Sequence, residues 1–271
     1  MDSALTIQNY LALNQGRYLR ETISLPPVRS RVYVTTHFET AATDLLHYHE
    51  TPHFSFVLKG GVIDRRRHAE TEKRAGELMF FPAGQPHRSI YRNFPVRSLN
   101  IEIEADFFGR HGIDEAAIRS SVEQSPAAKF TMLKIYRELA AADEFTNDSI
   151  EMLLLKLLED RSGVRKARPA WLDRVVERLH DDWNEELSLD ELARAAGVHP
   201  KTVSKYFSRH LGCTLGEYRR RLRIEKALPL IKTSNLSLTA IAHQCGFYDQ
   251  SHFTAAFKRL TGFRPKHFQK L

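Results

Sequence analysis

Four histidines stand at spacings that suit metal or polar-ligand chemistry. His47 and His49 lie two residues apart, His53 follows, and His87 ends the later segment Pro82-x-Gly84-x-x-His87. On a strand, residues i and i+2 project from one face, so His47 and His49 would converge. Imidazoles gathered inside a β-structure are a usual way to hold zinc, iron, nickel or copper. The same four side chains can instead line a polar pocket for a small-molecule effector, and spacing alone does not choose between the two.

A second set of residues suits contact with a nucleic acid. The first cluster is Lys201, Thr202, Ser204, Lys205, Ser208 and Arg209; the second is Gln250, Ser251, His252, Thr254, Ala255 and Lys258. Lysine and arginine reach phosphates and guanine, glutamine suits the adenine edge, and serine and threonine bond several bases.

The elements that must carry these residues follow from pattern. Leu187–Gly212 and Leu236–Gly262 are one helix-turn-helix unit written twice. Leu192-Ala193 matches Ile241-Ala242, Gly197 matches Gly246, and, after one extra residue, Phe207 matches Phe257. In the first copy Ser188 or Asp190 can cap a helix, with Glu191 completing a capping box. Gly197 allows the turn and Pro200 opens the next helix, whose buried face is Val203, Tyr206, Phe207 and Leu211. Two such units about fifty residues apart suit successive major-groove segments. Between them, Leu215–Lys232 predicts a connecting helix bearing Arg219, Arg220, Arg221 and Arg223. Some of these should pair with Glu217 and Glu225, and others can reach phosphate.

Charge supports this division. Residues 166–271 hold 19 of the 40 Lys/Arg and 11 of the 33 Asp/Glu, a net of +8 against −1 for the rest. That is the footprint of a polyanion-binding domain joined to a near-neutral one. The two cysteines, Cys213 and Cys245, lack metal-ligand spacing, and Cys245 falls in an apolar helix pattern. The opening MDSALTIQNYLALNQG lacks a leader pattern and no apolar run approaches a membrane span, so a cytoplasmic chain with no membrane is expected.

The predicted fold class is α+β with two domains. Residues 31–104 carry short β-branched and aromatic runs, RVYVTTHF, FSFVLKGGV, ELMFFPAG and VRSLNIEIE, broken by glycine and proline. They predict a small barrel or jelly roll. Helices are expected over Asp114–Gln124, Ala127–Ala142 and Asp148–Asp160, with Asp114 and Asp148 as N-caps. Met152–Glu159, MLLLKLLE, is apolar on most faces and should be buried in the core or against a second subunit. The basic stretch Arg161–Ala170 predicts a linker. The expected organisation is therefore a barrel with an N-terminal arm over 1–106, a helical and possibly dimerising region over 107–160, a linker over 161–170 and an all-α domain over 171–271.

Over Pro169–Leu271 the chain resembles the AraC/XylS transcription regulators. The resemblance lies in the A-x-x-x-G turns, in Gly246-Phe247-x-x-Gln250-Ser251-x-Phe253-x-x-x-Phe257-Lys258, and in Gly262-Phe263-Arg264-Pro265 before Phe268. It implies binding of double-stranded DNA, with base contacts centred on Lys201, Ser204, Lys205, Ser251 and Ala255. It further implies an effector, RNA polymerase and a second copy of the chain as partners. Three positions depart from the family pattern. Ala255 stands where arginine is frequent. Pro229 falls inside the connecting helix and predicts a kink or end near Ala227-Leu228. Arg264 replaces a capping Ser or Thr, a loss of about 1 kcal/mol.

The histidine segments in turn resemble the two motifs of the cupin fold. In metal-binding cupins the corresponding ligands are two histidines, a glutamate and a later histidine, here His47, His49, His53 and His87. His53 stands in place of the glutamate, Tyr91 in place of an asparagine and Ala41 in place of a glycine. This resemblance implies a metal- or effector-binding barrel that controls the DNA reader. Its alternative is a metal-dependent cupin enzyme with an accessory DNA-binding domain. No acid/base pair is evident, and no catalytic residue is assigned.

Overall fold

The computed structural model describes residues 11–13, 18, 22–23, 32–37, 45–66, 69–111, 118, 122, 126–159 and 169–271. The chain divides into two compact units, Met1–Ser162 and Gly163–Leu271. Most of the expected linker (161–168), Ala41 and Asp114 lie outside the described residues; within the helix expected over 114–124, Ile118 and Val122 are helical and buried.

The strands of the first unit are β1 (Leu11–Leu13), β2 (Thr22–Ile23), β3 (Val32–His37), β4 (His47–His49), β5 (His53–Arg66), β6 (Ala69–Arg74), β7 (Leu78–Phe81) and β8 (Arg88–Glu102). Six form one sheet in the order β2-β3-β8-β5-β6, with β7 beside the first part of β5, while β1 and β4 pair separately and in parallel. The described strands do not close into the expected barrel. β6 forms a charged edge, AETEKR, exposed along nearly its whole length, which discourages further pairing.

Register explains how the sheet positions the histidine site. Cross-strand partners share a face, and Phe54 lies opposite Phe80 and Ile101, while Phe56 lies opposite Leu78 and Leu99. That face is wholly apolar and buried. The other face brings His53 opposite Phe81 and Glu102, Ser55 opposite Met79 and Asn100, and Val57 opposite Ser98. One residue of register slip would exchange the two faces, so the apolar face fixes the polar one.

The helices that follow with described bounds are α1 (Ala105–Arg110), α2 (Pro126–Ala141) and α3 (Thr146–Glu159). α2 and α3 pack together, and Met132, Leu133 and Ile135 of α2 and Ile150, Leu154 and Leu158 of α3 are buried. α3 begins two residues before Asp148, which lies in the first turn and is not the N-cap. Nor is MLLLKLLE buried all round: Met152 is 67% exposed, because α3 turns one stripe towards α2 and leaves the opposite side open.

The second unit contains α4 (Ala170–Asp181), α5 (Leu189–Ala196), α6 (Pro200–Leu211), α7 (Leu215–Thr233), α8 (Leu238–Gln244), α9 (Gln250–Thr261) and α10 (Pro265–Lys270). No helix among the described residues is long and apolar enough to cross a membrane. The first helix-turn-helix core joins Leu172, Val175 and Leu179 to Leu192, Ala193, Ala196, Val203 and Phe207. Ser188 is the cap of α5: its hydroxyl accepts from Glu191 N, and the Glu191 carboxylate accepts from Ser188 N. Gly197 follows in the left-handed region, at φ 69°.

α7 does not end at Ala227-Leu228. It runs through Pro229 to Thr233. Proline inside a helix costs about 3 kcal/mol, but Leu228 and Ile231 flank it fully buried, each worth about 1.5–3 kcal/mol. Packing on both sides of the proline therefore outweighs the missing hydrogen bond. At α10, Arg264 makes no side-chain cap bond, as expected, and Pro265 opens the helix.

Candidate histidine centre and nucleic-acid interface

The histidine centre is held by backbone pairing. His47 N donates to His87 O at 3.0 Å, His87 N donates to His47 O at 2.8 Å, and Gly84 N donates to His49 O at 2.9 Å. β4 is thus stapled to the segment that carries His87. The ligand nitrogens of His47, His49 and His87 lie within 4.8 Å of one another, and all three residues are buried. His53 stands beside this group, its ring 4.3 Å from that of His49 and stacked on Phe81 at 4.7 Å and 11°. Tyr18 packs its ring against both His49 and His53. The cavity here measures about 30 Å³, and its lining also includes Thr35, Ser55, Ser89, Tyr91, Ser98 and Asn100. That is room for about two waters, since one needs roughly 10–15 Å³ by this measure.

Burial sets the protonation of these groups. Removal from water lowers the pKa of His47 and His49, and it pushes those of His53 and His87 down to about 3. Beside Tyr91, buried His37 is pushed down to about 4. All five imidazoles are neutral at pH 7, available as lone-pair donors but costly to charge. Because these folded pKa values lie below the unfolded 6.5, the unfolded chain binds more protons in acid. Stability is then fully present above pH 6.5 and is lost as pH falls, by up to about 1.4 kcal/mol per pH unit per histidine. The loss for His37 continues to about pH 4. Denaturant unfolding of the metal-free chain, followed by tyrosine absorbance, is expected to show the first unit markedly weaker at pH 5 than at pH 7.5. Tryptophan emission follows the second unit alone, since the only two tryptophans are Trp171 and Trp183. Equal stability of the first unit at the two pH values would contradict neutral burial.

The second candidate site lies on α6 and α9. Their inward faces, Val203 and Phe207 on α6 and Phe253, Ala256 and Phe257 on α9, are buried. This leaves Lys201, Ser204, Lys205, Ser208 and Arg209 exposed on α6, with Thr202 half-buried. On α9 Gln250, Ser251, His252, Ala255 and Lys258 are exposed and Thr254 is half-buried. Lys201, Ser204, Lys205 and Ser208 follow the i, i+3, i+4, i+7 pattern and share one face. Two α9 residues are partly committed: Thr239 Oγ1 donates to Gln250 Oε1 at 2.6 Å, and the His252 ring stands edge-on to Phe247 at 5.4 Å. Ser251, Ala255 and Lys258 form its open stripe.

Three features escaped the sequence pattern. Tyr248, 86% exposed in the turn before α9, occupies the place His199 fills before α6. His199 Nδ1 caps α6, whereas Asp249 caps α9, so Tyr248 has no capping task. Arg219 and Arg223 of α7, secondly, donate to backbone carbonyls. Arg219 donates to Leu187 O at 3.0 Å and to Glu185 O at 2.7 Å. Arg223 donates to Trp183 O, to Glu185 O at 3.0 Å and to Gly246 O. Glu217 meanwhile completes the capping box with Thr214 at the start of α7. Guanidinium groups satisfy the carbonyls left free by the bend after α4, a geometry that residue type alone does not reveal. Thirdly, Arg174 reaches Ala196 O at 2.8 Å and closes the C-terminal end of α5. Cys245, fully buried, has its thiol pushed up to about 12 by desolvation, consistent with a core residue.

Residues 192–271 match the helix-turn-helix domain family. The HTH-type transcriptional activator RhaS of Enterobacter sp. (strain 638) is 32% identical over 121 residues, 44% of this chain and 44% of that protein. RhaS of Salmonella heidelberg (strain SL476) is 29% identical over 153 residues, 52% of this chain and 55% of that protein. The chain thus spans about half the length of the curated relatives it matches. A solved AraC-type transcriptional regulator from Chromobacterium violaceum is 25% identical, with a TM-score of 0.36, over 37% of this chain and 89% of that one.

Proposed function

Since the chain belongs to the AraC/XylS family, we propose that it is a sequence-specific, DNA-binding transcription regulator and not an enzyme. The observation that carries this reading is the pair of helix-turn-helix units. Each buries an apolar face and turns a short, polar or cationic one outward. α6 offers Lys201, Thr202, Ser204, Lys205, Ser208 and Arg209. α9 offers Gln250, Ser251, His252, Thr254, Ala255 and Lys258. The two helices read major-groove segments about one turn (~34 Å) apart. Tyr248 adds an aromatic contact at the N-terminal end of α9, its hydroxyl on phosphate or its ring on a thymine methyl.

The first unit acts as a cupin-like sensor, with the ligand at the histidine cavity. Binding there biases how the reader meets DNA and RNA polymerase, provided the ligand favours one arrangement. A second copy of the chain docks through α3, where Met152 and nearby Phe145, 62% exposed, offer an apolar surface.

Selection of bound fragments from random duplex DNA, using the full chain, tests the reading. A consensus spanning two adjacent grooves is expected, with affinity falling steeply with salt. Recovery of no consensus sequence would end it. Tyr248→Ala should weaken binding by about tenfold, within the 1–3 kcal/mol of one base contact, without changing the melting temperature. A drop in melting temperature would assign Tyr248 to the fold instead.

A further inference from the structure

We propose that the operator has two unlike halves in a fixed order: guanines under α6, and an A·T pair under α9 whose thymine methyl packs on Ala255. This deepens the regulator reading and rests on it. The outward stripes of the two helices carry the inference. On α6, Lys201, Ser204, Lys205 and Ser208 stand exposed along one face. Two of the four are ammonium groups, which donate and never accept. Lys205 Nζ lies 5.8 Å from the Tyr206 ring centre, a contact that uses its charge and leaves its three donors free. In the major groove, guanine is the base that offers two neighbouring acceptors, N7 and O6, with no donor between them. Lys201 and Lys205 stand one turn apart, roughly 6 Å along the helix, so their guanines lie one or two base-pair steps apart.

α9 presents different chemistry at the same places. With Val203 aligned on Phe253 and Phe207 on Phe257, Lys201 corresponds to Ser251 and Lys205 to Ala255. Both donor-only positions of α6 have thus lost their charge. Ala255 is exposed and its neighbour Ala256 is buried, so the methyl that faces outward is that of residue 255. Gln250 Oε1 accepts from Thr239, and the His252 ring stands edge-on to Phe247, which draws both polar side chains onto the fold. Ala255 has neither donor nor acceptor in its side chain, and thymine alone puts an apolar group, its C5-methyl, into the major groove. Ser251 bonds several bases and so adds little choice. Lys258, two turns beyond Ser251, reaches phosphate. The site is therefore directional, and exchanging its halves loses both kinds of base contact.

The test is selection from random duplexes with the full chain and with Lys205→Ala. Lys205→Ala should relax one guanine preference, which marks the half under α6, and leave the other half intact. On the selected duplex, 7-deazaguanine, which lacks the N7 acceptor, then replaces that guanine. In the other half deoxyuridine, which lacks the methyl, replaces thymidine. The first change should weaken the wild-type chain about tenfold and Lys205→Ala less than about twofold. The second should weaken the wild-type chain about threefold and leave Ala255→Gly indifferent. Each comparison sets two duplexes against one variant, so a general loss of fold cannot imitate it. A palindromic consensus, no guanine relaxed by Lys205→Ala, equal 7-deazaguanine losses in wild type and Lys205→Ala, or equal deoxyuridine losses in wild type and Ala255→Gly would each overturn the proposal and retain the regulator. Recovery of no consensus would refute both.

Discussion

Gly246→Ala should destabilise the C-terminal unit by about 3 kcal/mol or more, whereas Gly197→Ala should cost only about 1–2 kcal/mol. Both glycines hold the left-handed conformation after the first helix of their repeat, at φ 72° and 69°. An added methyl at Gly197 meets nothing within 4 Å. At Gly246 it would stand 2.5 Å from Asn184 O and 2.7 Å from Arg223 Cζ. Gly197→Ala thus adds backbone strain alone, and Gly246→Ala adds overpacking against backbone. For a unit near 100 residues this corresponds to losses of roughly 4–8 °C per kcal/mol in melting temperature. Thermal melts followed by Trp171 and Trp183 emission check it. Equal shifts for the two variants would mean that the Asn184–Arg223–Gly246 contact is slack.

The second large effect concerns asymmetry between the readers. Lys201→Ala with Lys205→Ala should weaken DNA binding about tenfold per lysine and flatten the plot of log affinity against log salt by about 2. Lys258→Ala should flatten it by about 1, and Ser251→Ala should leave the slope unchanged because serine releases no counterion. α6 presents Lys201, Lys205 and Arg209, while on α9 the central Ala255 offers only a methyl. Ala255→Arg should accordingly gain affinity for duplexes with guanine opposite that position. Equal slope changes from the two helices would refute the asymmetric reader.

Much of the second unit was legible because its determinants are local. The Ser188–Glu191 capping box, the Gly197 turn, Pro200 and the Val203–Phe207 face are each set within one helical turn, and the pattern repeats. What escaped the sequence is nonlocal or patternless. Pro229 reads as a helix breaker, and only the burial of Leu228 and Ile231 reverses that. Arg219 and Arg223 look destined for Glu217 and Glu225, yet their carbonyl partners lie more than twenty residues away. β6 carries no apolar alternation, being an edge open to water, so nothing in AETEKR marks a strand. For the histidines, the spacing drew attention to four side chains. That the ring nitrogens of His47, His49 and His87 come within 4.8 Å of one another follows from the backbone pairing of His47 with His87, which the sequence does not encode locally.

The arginine bonds of α7 bear on how the protein would measure its operator. Arg223 grips the carbonyls of Trp183 and Glu185, ahead of the first reader, and that of Gly246, inside the second. Bridged in this way through the connecting helix, the two readers behave as fixed jaws of a caliper. One base pair inserted between half-sites shifts the second by about 3.4 Å along the duplex and by roughly a tenth of a turn around it. Jaws that cannot swivel would lose one half-site altogether, so operator phasing, more than base identity within either half, would set which promoters the protein can occupy.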